Sequence, residues 1–245
     1  MDAKKDQRLM VDNLVIEDIV RHANLSGSET VLEVGAGNGH LTVELAEHAG
    51  NVIAVEKDRE LCKTLRERVK RCGNVTVLEG DALKLKLPAC DKIVSNLPYS
   101  VSRRITVRLL EHGFREAFLL YQREFAQKLA AKPGGENYRF VTALVQSTCA
   151  VTLLMDVPAS AFRPQPRVSS TLVMLAQRIR PCNEYVAFLQ ELFNHKNKNV
   201  SNILGKLQGG ISASWLSKKP VDMKPEELAG LFALVSGKSI DGKGG

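Results

Sequence analysis

Short apolar runs alternate with amphipathic segments along most of this chain. Each apolar run has the length of a strand, and each amphipathic segment repeats its apolar residues at helical spacing. Strands are predicted over the segments 30–34, 51–56, 75–79, 92–95, 117–121, 150–157 and 170–176. Helices are predicted over the segments 12–23, 41–48, 61–69, 104–112, 122–131 and 138–149. This alternation is typical of an α/β fold with a doubly wound, mostly parallel sheet of seven strands.

The last part of the chain carries helical patterns alone. Apolar residues recur at helical spacing over 185–193, 200–207 and 225–234, and no strand pattern interrupts them. The change begins just after Pro181, and a proline favours a break between elements. We therefore predict an α/β domain of residues 1–180 and a small all-helical C-terminal domain of residues 181–245.

Composition narrows the classes of function. No apolar run approaches the ~20 residues needed to span a bilayer. The N-terminus lacks the apolar core of a signal peptide, so we expect a cytoplasmic protein with no membrane partner. The five cysteines contain no Cys-x-x-Cys pair, which argues against a disulfide framework and a zinc site, and no metal is predicted. The net charge of +7 favours a polyanionic partner such as nucleic acid.

A glycine-rich loop follows the first predicted strand of the sheet. Gly35 and Gly37 allow a tight turn and a close approach of the backbone to a ligand. Glu56 ends the next strand, where doubly wound folds place an acid that accepts ribose hydroxyls. The third glycine of a dinucleotide motif would fall at His40, so the loop suits a ligand with a ribose and no pyrophosphate. S-adenosylmethionine is the common ligand of this kind.

Two further segments follow the third and fourth predicted strands of the sheet. Asp81, next to Ala82, can accept a hydrogen bond from the adenine amine of such a cofactor. Asn96 and the backbone carbonyl of Leu97 or Pro98 can each accept one hydrogen of a substrate adenine amine. Pro98 stiffens the turn, and Tyr99 offers a flat face to a base taken out of its stack.

These segments resemble motifs of the KsgA-type ribosomal RNA adenine dimethyltransferases, and they occur in the family's order. The matching residues are Asp6-Gln7-Arg8-Leu9-Met10, Glu33-Val34-Gly35-Ala36-Gly37-Asn38-Gly39, Glu56, Gly80-Asp81-Ala82, Asn96-Leu97-Pro98-Tyr99 and Phe162-Arg163-Pro164-Gln165-Pro166-Arg167-Val168-Ser169-Ser170. The resemblance implies a Rossmann-like class I methyltransferase domain with a small helical C-terminal domain. It also implies transfer of methyl groups from S-adenosylmethionine to adjacent adenines near the 3′ end of small-subunit ribosomal RNA, each dimethylated.

The resemblance further implies roles for individual residues. Cofactor contacts are expected at Arg8, Met10, Gly35, Gly37, Glu56, Asp81, Ala82 and Asn96. Tyr99 and Phe162 are expected to sandwich the target base. The chain departs from the family at Arg8 and Leu9, where His or Asn followed by Phe is usual, and its C-terminal region has fewer arginines.

Basic residues near these motifs are predicted to hold RNA phosphates. They are Arg103, Arg104, Arg108, Arg163, Arg167, Lys196, Lys198 and Lys206. The expected partner is small-subunit ribosomal RNA or the assembling small subunit, bound by a monomer.

Other functions remain open at this stage. A large-subunit ribosomal RNA adenine methyltransferase would share the Asn-x-Pro-aromatic motif, and a ribosome-assembly or transcription factor would share the fold without the chemistry. DNA methylation is disfavoured because no separate target-recognition domain is predicted. A small-molecule methyltransferase would not need the basic residues or the pair of stacking rings.

Overall fold

The computed structural model describes residues 8–205 and 209–243. Asp6 and Gln7 of the N-terminal motif, and Lys206 among the predicted RNA contacts, lie outside these residues. The chain divides into two compact units. The first comprises Met1–Arg108, Phe114–Ala126 and Thr152–Ala176, and the second comprises Leu109–Gly113, Gln127–Val151 and Gln177–Gly245.

A seven-stranded sheet forms the centre of the fold. Its strands are β2 (Thr30–Val34), β3 (Asn51–Glu56), β4 (Val75–Glu79), β5 (Lys92–Asn96), β6 (Glu116–Gln122), β7 (Cys149–Val157) and β9 (Ser170–Gln177). They lie in the order β4-β3-β2-β5-β6-β9-β7. The pairs β2–β3, β3–β4, β2–β5 and β5–β6 are parallel, and β6–β9 is antiparallel. The predicted seven-stranded, mostly parallel sheet is confirmed, with every strand end within one residue of its prediction.

Helices of the α/β part begin close to the predicted positions. They are α1 (Asn13–Ala23), α2 (His40–His48), α3 (Arg59–Arg68), α4 (Ser102–His112), α5 (Arg123–Leu129) and α6 (Phe140–Thr148). Asp12 and Asp58 cap α1 and α3, since each carboxylate accepts hydrogen bonds from two backbone N–H groups of the first turn. Buried aliphatic side chains of α1 and α2, such as Ile19 and Leu45, pack with Val52 and Leu120 of the sheet.

One pair of strands was not predicted. Strand β1 (Leu9–Met10) pairs with β8 (Phe162–Arg163) in an antiparallel two-stranded sheet, with Met10 opposite Phe162. Strands of two residues are too short to show an alternating pattern, and their partners are distant in the chain. The pairing places the N-terminal segment next to the Phe162–Ser170 motif.

The second unit is built around α6 and the C-terminal helices. These are α7 (Asn183–Asn194), α8 (Val200–Leu204), α9 (Ala213–Leu216) and α10 (Pro225–Ser236). Tyr185 packs edge-on against Phe232 with ring centroids 5.1 Å apart, and its hydroxyl donates to Ser147 Oγ at 2.8 Å. The compact unit thus includes α6, whereas the predicted division at residue 180 assigns α6 to the first domain. Across the described residues, every helix is too short or too polar to traverse a lipid bilayer.

Candidate active site

A cavity opens where strands β2 and β5 part. Their ladder contains only the pairs Val31–Lys92 and Leu32–Ile93, and beyond it the N–H of Val34 donates to Ser95 Oγ at 2.8 Å. The chain runs from β2 outward to β3 and β4, and then returns to β5 on the other side of β2. Such a reversal is the point at which open α/β sheets bind ligands. The cavity measures about 370 Å³, within the ~300–1,000 Å³ typical of small-molecule sites.

The glycine loop forms one wall of this cavity. Gly35 and Gly37 have φ angles of +75° and +60°, which favour glycine. A Cβ atom at Gly37 would lie 2.9 Å from Leu9 Cδ2, and one at Gly35 would lie 3.3 Å from Pro98 Cδ. Both glycines are therefore required by the backbone angle and by the close approach of neighbouring side chains.

Glu56 connects the glycine loop to the loop that follows β3. Its Oε2 accepts a hydrogen bond from Gly37 N–H, and its Oε1 accepts from Lys57 N–H and Asp58 N–H, all at 2.8 Å. A carboxylate offers about four acceptor positions, so Oε2 retains acceptor capacity. Glu56 is buried and lines the cavity, as expected of an acid that binds a ligand there.

Asp81 also lines the cavity and is held by two donors. Its Oδ1 accepts from Leu83 N–H at 3.0 Å, and its Oδ2 lies 3.1 Å from Lys57 Nζ. Burial by itself would raise the pKa of Asp81, but the hydrogen bonds from Leu83 and Lys57 outweigh it, and the pKa lies below its ordinary value. Asp81 therefore presents an ionised acceptor at neutral pH.

Glu33 lies in β2, two residues before Gly35, and is buried. Burial raises the pKa of its carboxyl to about 8, even though the Thr42 hydroxyl donates to it at 2.6 Å, and the charge of Glu56 raises it further. The side chain is thus mostly protonated at neutral pH. No chemical role is predicted for Glu33 beyond its place in the motif.

Asn96 ends β5, and the two polar atoms of its side-chain amide differ in their hydrogen bonding. Its Nδ2 donates to the backbone carbonyl of Arg8 at 2.9 Å. Its Oδ1 is buried and has no hydrogen-bond partner among the residues that the structure describes. A buried acceptor without a donor is unfavourable, so a ligand that donates a hydrogen there would be favoured.

Tyr99 follows Asn96 at the start of a 3₁₀ turn, Tyr99–Val101. Its hydroxyl lies 2.7 Å from Ser170 Oγ. Leu97 is buried, and Pro98 precedes the turn with a φ of −58°. All four residues of this motif line the cavity.

The structure brings most of the predicted site residues together. Those that line the cavity are Arg8, Gly35, Gly37, Glu56, Asp81, Ala82, Asn96, Leu97, Pro98 and Tyr99. Met10 and Phe162 do not line it. They pair across β1 and β8, are 4% and 0% exposed, and belong to the hydrophobic core. The ring of Phe162 is buried, so stacking of a base between it and Tyr99 stays a prediction that would require this ring to become exposed.

The predicted RNA contacts of the first unit fall into two groups. Arg103, Arg104, Arg163 and Arg167 are exposed, and Arg104 also lines the cavity. Arg108 differs in being half-buried: its Nη2 donates to the carbonyl of Leu85 at 3.0 Å, and its Nε is buried. This contact favours a structural role for the Arg108 guanidinium, and its contact with RNA stays a prediction. In the second unit, Lys198 is exposed and Lys196 is half-buried.

Several side chains that shape the site were not predicted. Lys57 pairs with Asp81, and the Ser170 hydroxyl contacts the Tyr99 hydroxyl. The Ser95 hydroxyl accepts a hydrogen bond from Val34 N–H, where a backbone carbonyl would accept it in a regular strand pair. His40 Nδ1 lies 2.8 Å from the carbonyl oxygen of Met10. Only Ser170 belonged to a recognised motif, and the other contacts depend on how distant segments meet in space.

Comparisons with known proteins agree on one family. A model of the family described as ribosomal RNA adenine dimethylase matches residues 3–229. A probable ribosomal RNA small subunit methyltransferase A from Methanosarcina mazei is 35% identical over 247 residues, covering 94% of this chain and 91% of the relative. A dimethyladenosine transferase structure from Plasmodium falciparum has a TM-score of 0.78 at 26% identity, covering 91% of this chain and 97% of that one.

A second solved structure is similar over most of its length. The 23S rRNA methyltransferase ErmE has a TM-score of 0.68 at 26% identity, covering 93% of this chain and 99% of its own. Both structures share the class I methyltransferase fold with this chain. Because the family model spans nearly the whole chain, this protein belongs to the ribosomal RNA adenine dimethylase family.

Proposed function

We propose that this protein transfers methyl groups from S-adenosylmethionine to the exocyclic amines of two adjacent adenines near the 3′ end of small-subunit ribosomal RNA. The observation that carries the proposal is the buried, unpartnered Oδ1 of Asn96 at a cavity between β2 and β5. Family membership and the small-subunit methyltransferases among its relatives supply the substrate class. Dimethylation of each adenine belongs to the same proposal.

The residues around the cavity fit S-adenosylmethionine. The carboxylates of Glu56 and Asp81 can accept hydrogen bonds from ribose hydroxyls and from an adenine amine. Arg8 Nε is buried at the same cavity without a partner among the described residues, and it can donate to the cofactor's carboxylate. When bound, the cofactor supplies an electrophilic methyl group on a sulfonium.

The Asn96 motif would prepare the substrate amine for transfer. The lone pair of an adenine amine is delocalised into the ring, which makes the amine a poor nucleophile. Asn96 Oδ1 and a backbone carbonyl of Leu97 or Pro98 would each accept one amine hydrogen, which turns the nitrogen toward tetrahedral geometry. No base is needed beforehand, because the amine becomes acidic only as the new carbon–nitrogen bond forms. Most of the rate enhancement would then come from positioning.

Tyr99 would provide the surface on which the flipped adenine stacks. Its hydrogen bond to Ser170 holds the phenol ring in one orientation. Stacking of a base on an aromatic ring contributes ~1–3 kcal/mol per base. Contact with Phe162 would require its ring to leave the core position seen here.

The exposed arginines would position the RNA strand. Arg103 and Arg104 lie in the first turn of α4, shortly after the Asn96 motif, and Arg104 lines the cavity. Cations beside a base-binding pocket can hold phosphates without reading sequence. We further propose that the protein acts as a monomer on the assembling small subunit in the cytoplasm.

Methylation of large-subunit ribosomal RNA is the second candidate, because the structure of a 23S rRNA methyltransferase aligns with 93% of this chain. A non-catalytic assembly role is less compatible with the buried amide oxygen of Asn96, which has no hydrogen-bond partner among the described residues. Small and large subunits that lack adenine methylation should be incubated separately with radiolabelled S-adenosylmethionine, followed by nucleoside analysis. Label in dimethyladenosine from the small subunit supports the proposal. Label from the large subunit alone, or from neither, contradicts it.

A further inference from the structure

The orientation of the Asn96 amide depends on one backbone carbonyl. A side-chain amide can present either its oxygen or its NH₂ group to a ligand, and rotation by half a turn exchanges them. The carbonyl oxygen of Arg8 only accepts hydrogen bonds, so the Asn96 group that contacts it at 2.9 Å must be the NH₂. This contact leaves Oδ1 as the acceptor for a substrate amine.

The Arg8 carbonyl in turn depends on the placement of strand β1. Pairing with β8 holds β1 along one side, and the N–H of Val11 donates to the carbonyl of Ala161 at 2.9 Å. A side-chain contact comes from His40, whose Nδ1 lies 2.8 Å from the carbonyl oxygen of Met10. Because that oxygen is an acceptor, Nδ1 must carry the hydrogen. His40 is the first residue of α2, directly after the glycine loop.

We propose that His40 is a positioning residue: it holds β1 against the glycine loop so that the carbonyl of Arg8 keeps the Asn96 amide oxygen toward the substrate amine. This inference rests on the proposed function, because it assigns a task to the same Asn96 oxygen. His40 touches neither reacting group. Leu9, between Arg8 and Met10, packs on Gly37, so the same strand also contacts the cofactor wall of the cavity.

The test compares His40→Leu with His40→Asn. Leucine keeps apolar bulk and removes the donor, whereas the Nδ2 of asparagine can take the place of the imidazole Nδ1–H. Misplacement of a reacting group by about 1 Å can cost on the order of 100-fold in rate. We expect kcat for adenine methylation to fall roughly 10- to 100-fold in His40→Leu and to return to within about threefold of the unmodified enzyme in His40→Asn. The KM for RNA should change little.

A matched control lies on the same helix. His48, the last residue of α2, is exposed and pairs with Glu44, so His48→Leu should leave kcat unchanged. Unmodified kcat in His40→Leu would overturn the proposal. So would equal losses in His40→Leu and His40→Asn, or a lower thermal midpoint with no change in kcat.

A second readout does not depend on activity. Nitrogen-15 NMR of the neutral imidazole of His40 should show the tautomer with the proton on Nδ1, and the Nε2–H tautomer would overturn the inference. If the unmodified enzyme forms no methyladenosine, the proposed function fails, while the tautomer still tests the contact with Met10. If it forms methyladenosine and His40→Leu matches it, only the inference fails.

Discussion

The hydroxyl of Tyr99 lies 2.7 Å from Ser170 Oγ, which joins the turn after β5 to the first residue of β9. Ser170 is fully buried, and it closes the motif that begins at Phe162. Through this contact, two segments that are distant in sequence determine the orientation of the ring on which we propose the target adenine stacks. Loss of the Ser170 hydroxyl should therefore affect RNA binding more than cofactor binding.

Ser170→Ala should weaken the orientation of Tyr99. We expect the KM for RNA to rise several-fold while the affinity for S-adenosylmethionine stays unchanged, with a loss of about 1 kcal/mol in the free energy of unfolding from the missing hydrogen bond. Steady-state kinetics and denaturant titration measure the two effects. Ser169→Ala is the matched control, since the carbonyl of Ser169 rather than its side chain accepts from Arg123 N–H. Equal kinetics in the two variants would contradict the role of Ser170.

Gly37→Ala should displace the glycine loop that forms one wall of the cavity, where we propose that S-adenosylmethionine binds. The φ of +60° costs an alanine about 1–2 kcal/mol, and its Cβ would lie 2.9 Å from Leu9 Cδ2. We expect the affinity for S-adenosylmethionine to fall about tenfold or more, since 1.4 kcal/mol corresponds to a factor of ten. Calorimetric titration measures this affinity. Gly73→Ala, with no neighbouring atom within 4 Å, should bind normally, and normal binding by Gly37→Ala would disprove the assignment.

Glu33 should make the stability of the protein decline with rising pH. Burial raises the pKa of its carboxyl to about 8 in the folded state, against the ordinary value of 4.5 for a glutamate exposed to solvent. Between these values the folded state binds more protons than the unfolded state, so the free energy of unfolding falls as pH rises. The contribution is complete below the unfolded pKa and is lost as pH rises through about 8.

The substitution Glu33→Gln should remove this part of the pH dependence. Denaturant titrations between about pH 5 and 9 measure the free energy of unfolding of both proteins. As pH rises over this range, the free energy of unfolding of Glu33→Gln should increase relative to that of the unmodified protein, by on the order of a few kcal/mol. A constant difference across this range would mean that Glu33 does not change its protonation on unfolding.

Arg104 and Arg108 should differ in their effect on RNA binding. Arg104 is exposed at the cavity, so Arg104→Ala should lower the slope of log affinity against log salt by roughly 0.7–0.9, as expected for one lost phosphate contact. Arg108 donates to the carbonyl of Leu85, so Arg108→Ala should leave the slope unchanged and reduce stability by about 1 kcal/mol. Binding titrations at several salt concentrations measure the slopes. A lower slope in Arg108→Ala together with an unchanged slope in Arg104→Ala would contradict both assignments.

The sequence predicted the elements of the fold better than the contacts between them. Strands such as β2 and β3 were located to the residue, because buried parallel strands are short apolar runs with clear ends. Strand β1 was missed because a two-residue strand has no periodicity. The parting of β2 and β5, where Val34 bonds to Ser95, depends on side-chain geometry that no local pattern records.

In the candidate site too, the places of the residues in the chain were predictable, whereas their surroundings in the fold were not. Gly35, Glu56, Asp81 and Asn96 were found because each lies at or just after the end of a strand, and strand ends converge at the switch point. The burial of Phe162 and the bond from Arg108 to Leu85 were not predicted, because a residue's type does not reveal what packs over it. The hydrogen bond between the Asn96 amide and the Arg8 carbonyl likewise was not predicted, because the two residues are distant in the sequence.

The central claim is that Asn96 Oδ1 holds the amine of an adenine during methyl transfer. Asn96→Ala should be compared with the unmodified enzyme and with Asn137→Ala, an exposed asparagine of the second unit, in single-turnover reactions on unmethylated small subunits. We predict that Asn96→Ala loses at least about 100-fold in the rate of dimethyladenosine formation, as does removal of a preorganised hydrogen-bonding group in other enzymes, while RNA affinity stays within a few-fold. Dimethyladenosine formed by Asn96→Ala at the unmodified rate would contradict the account.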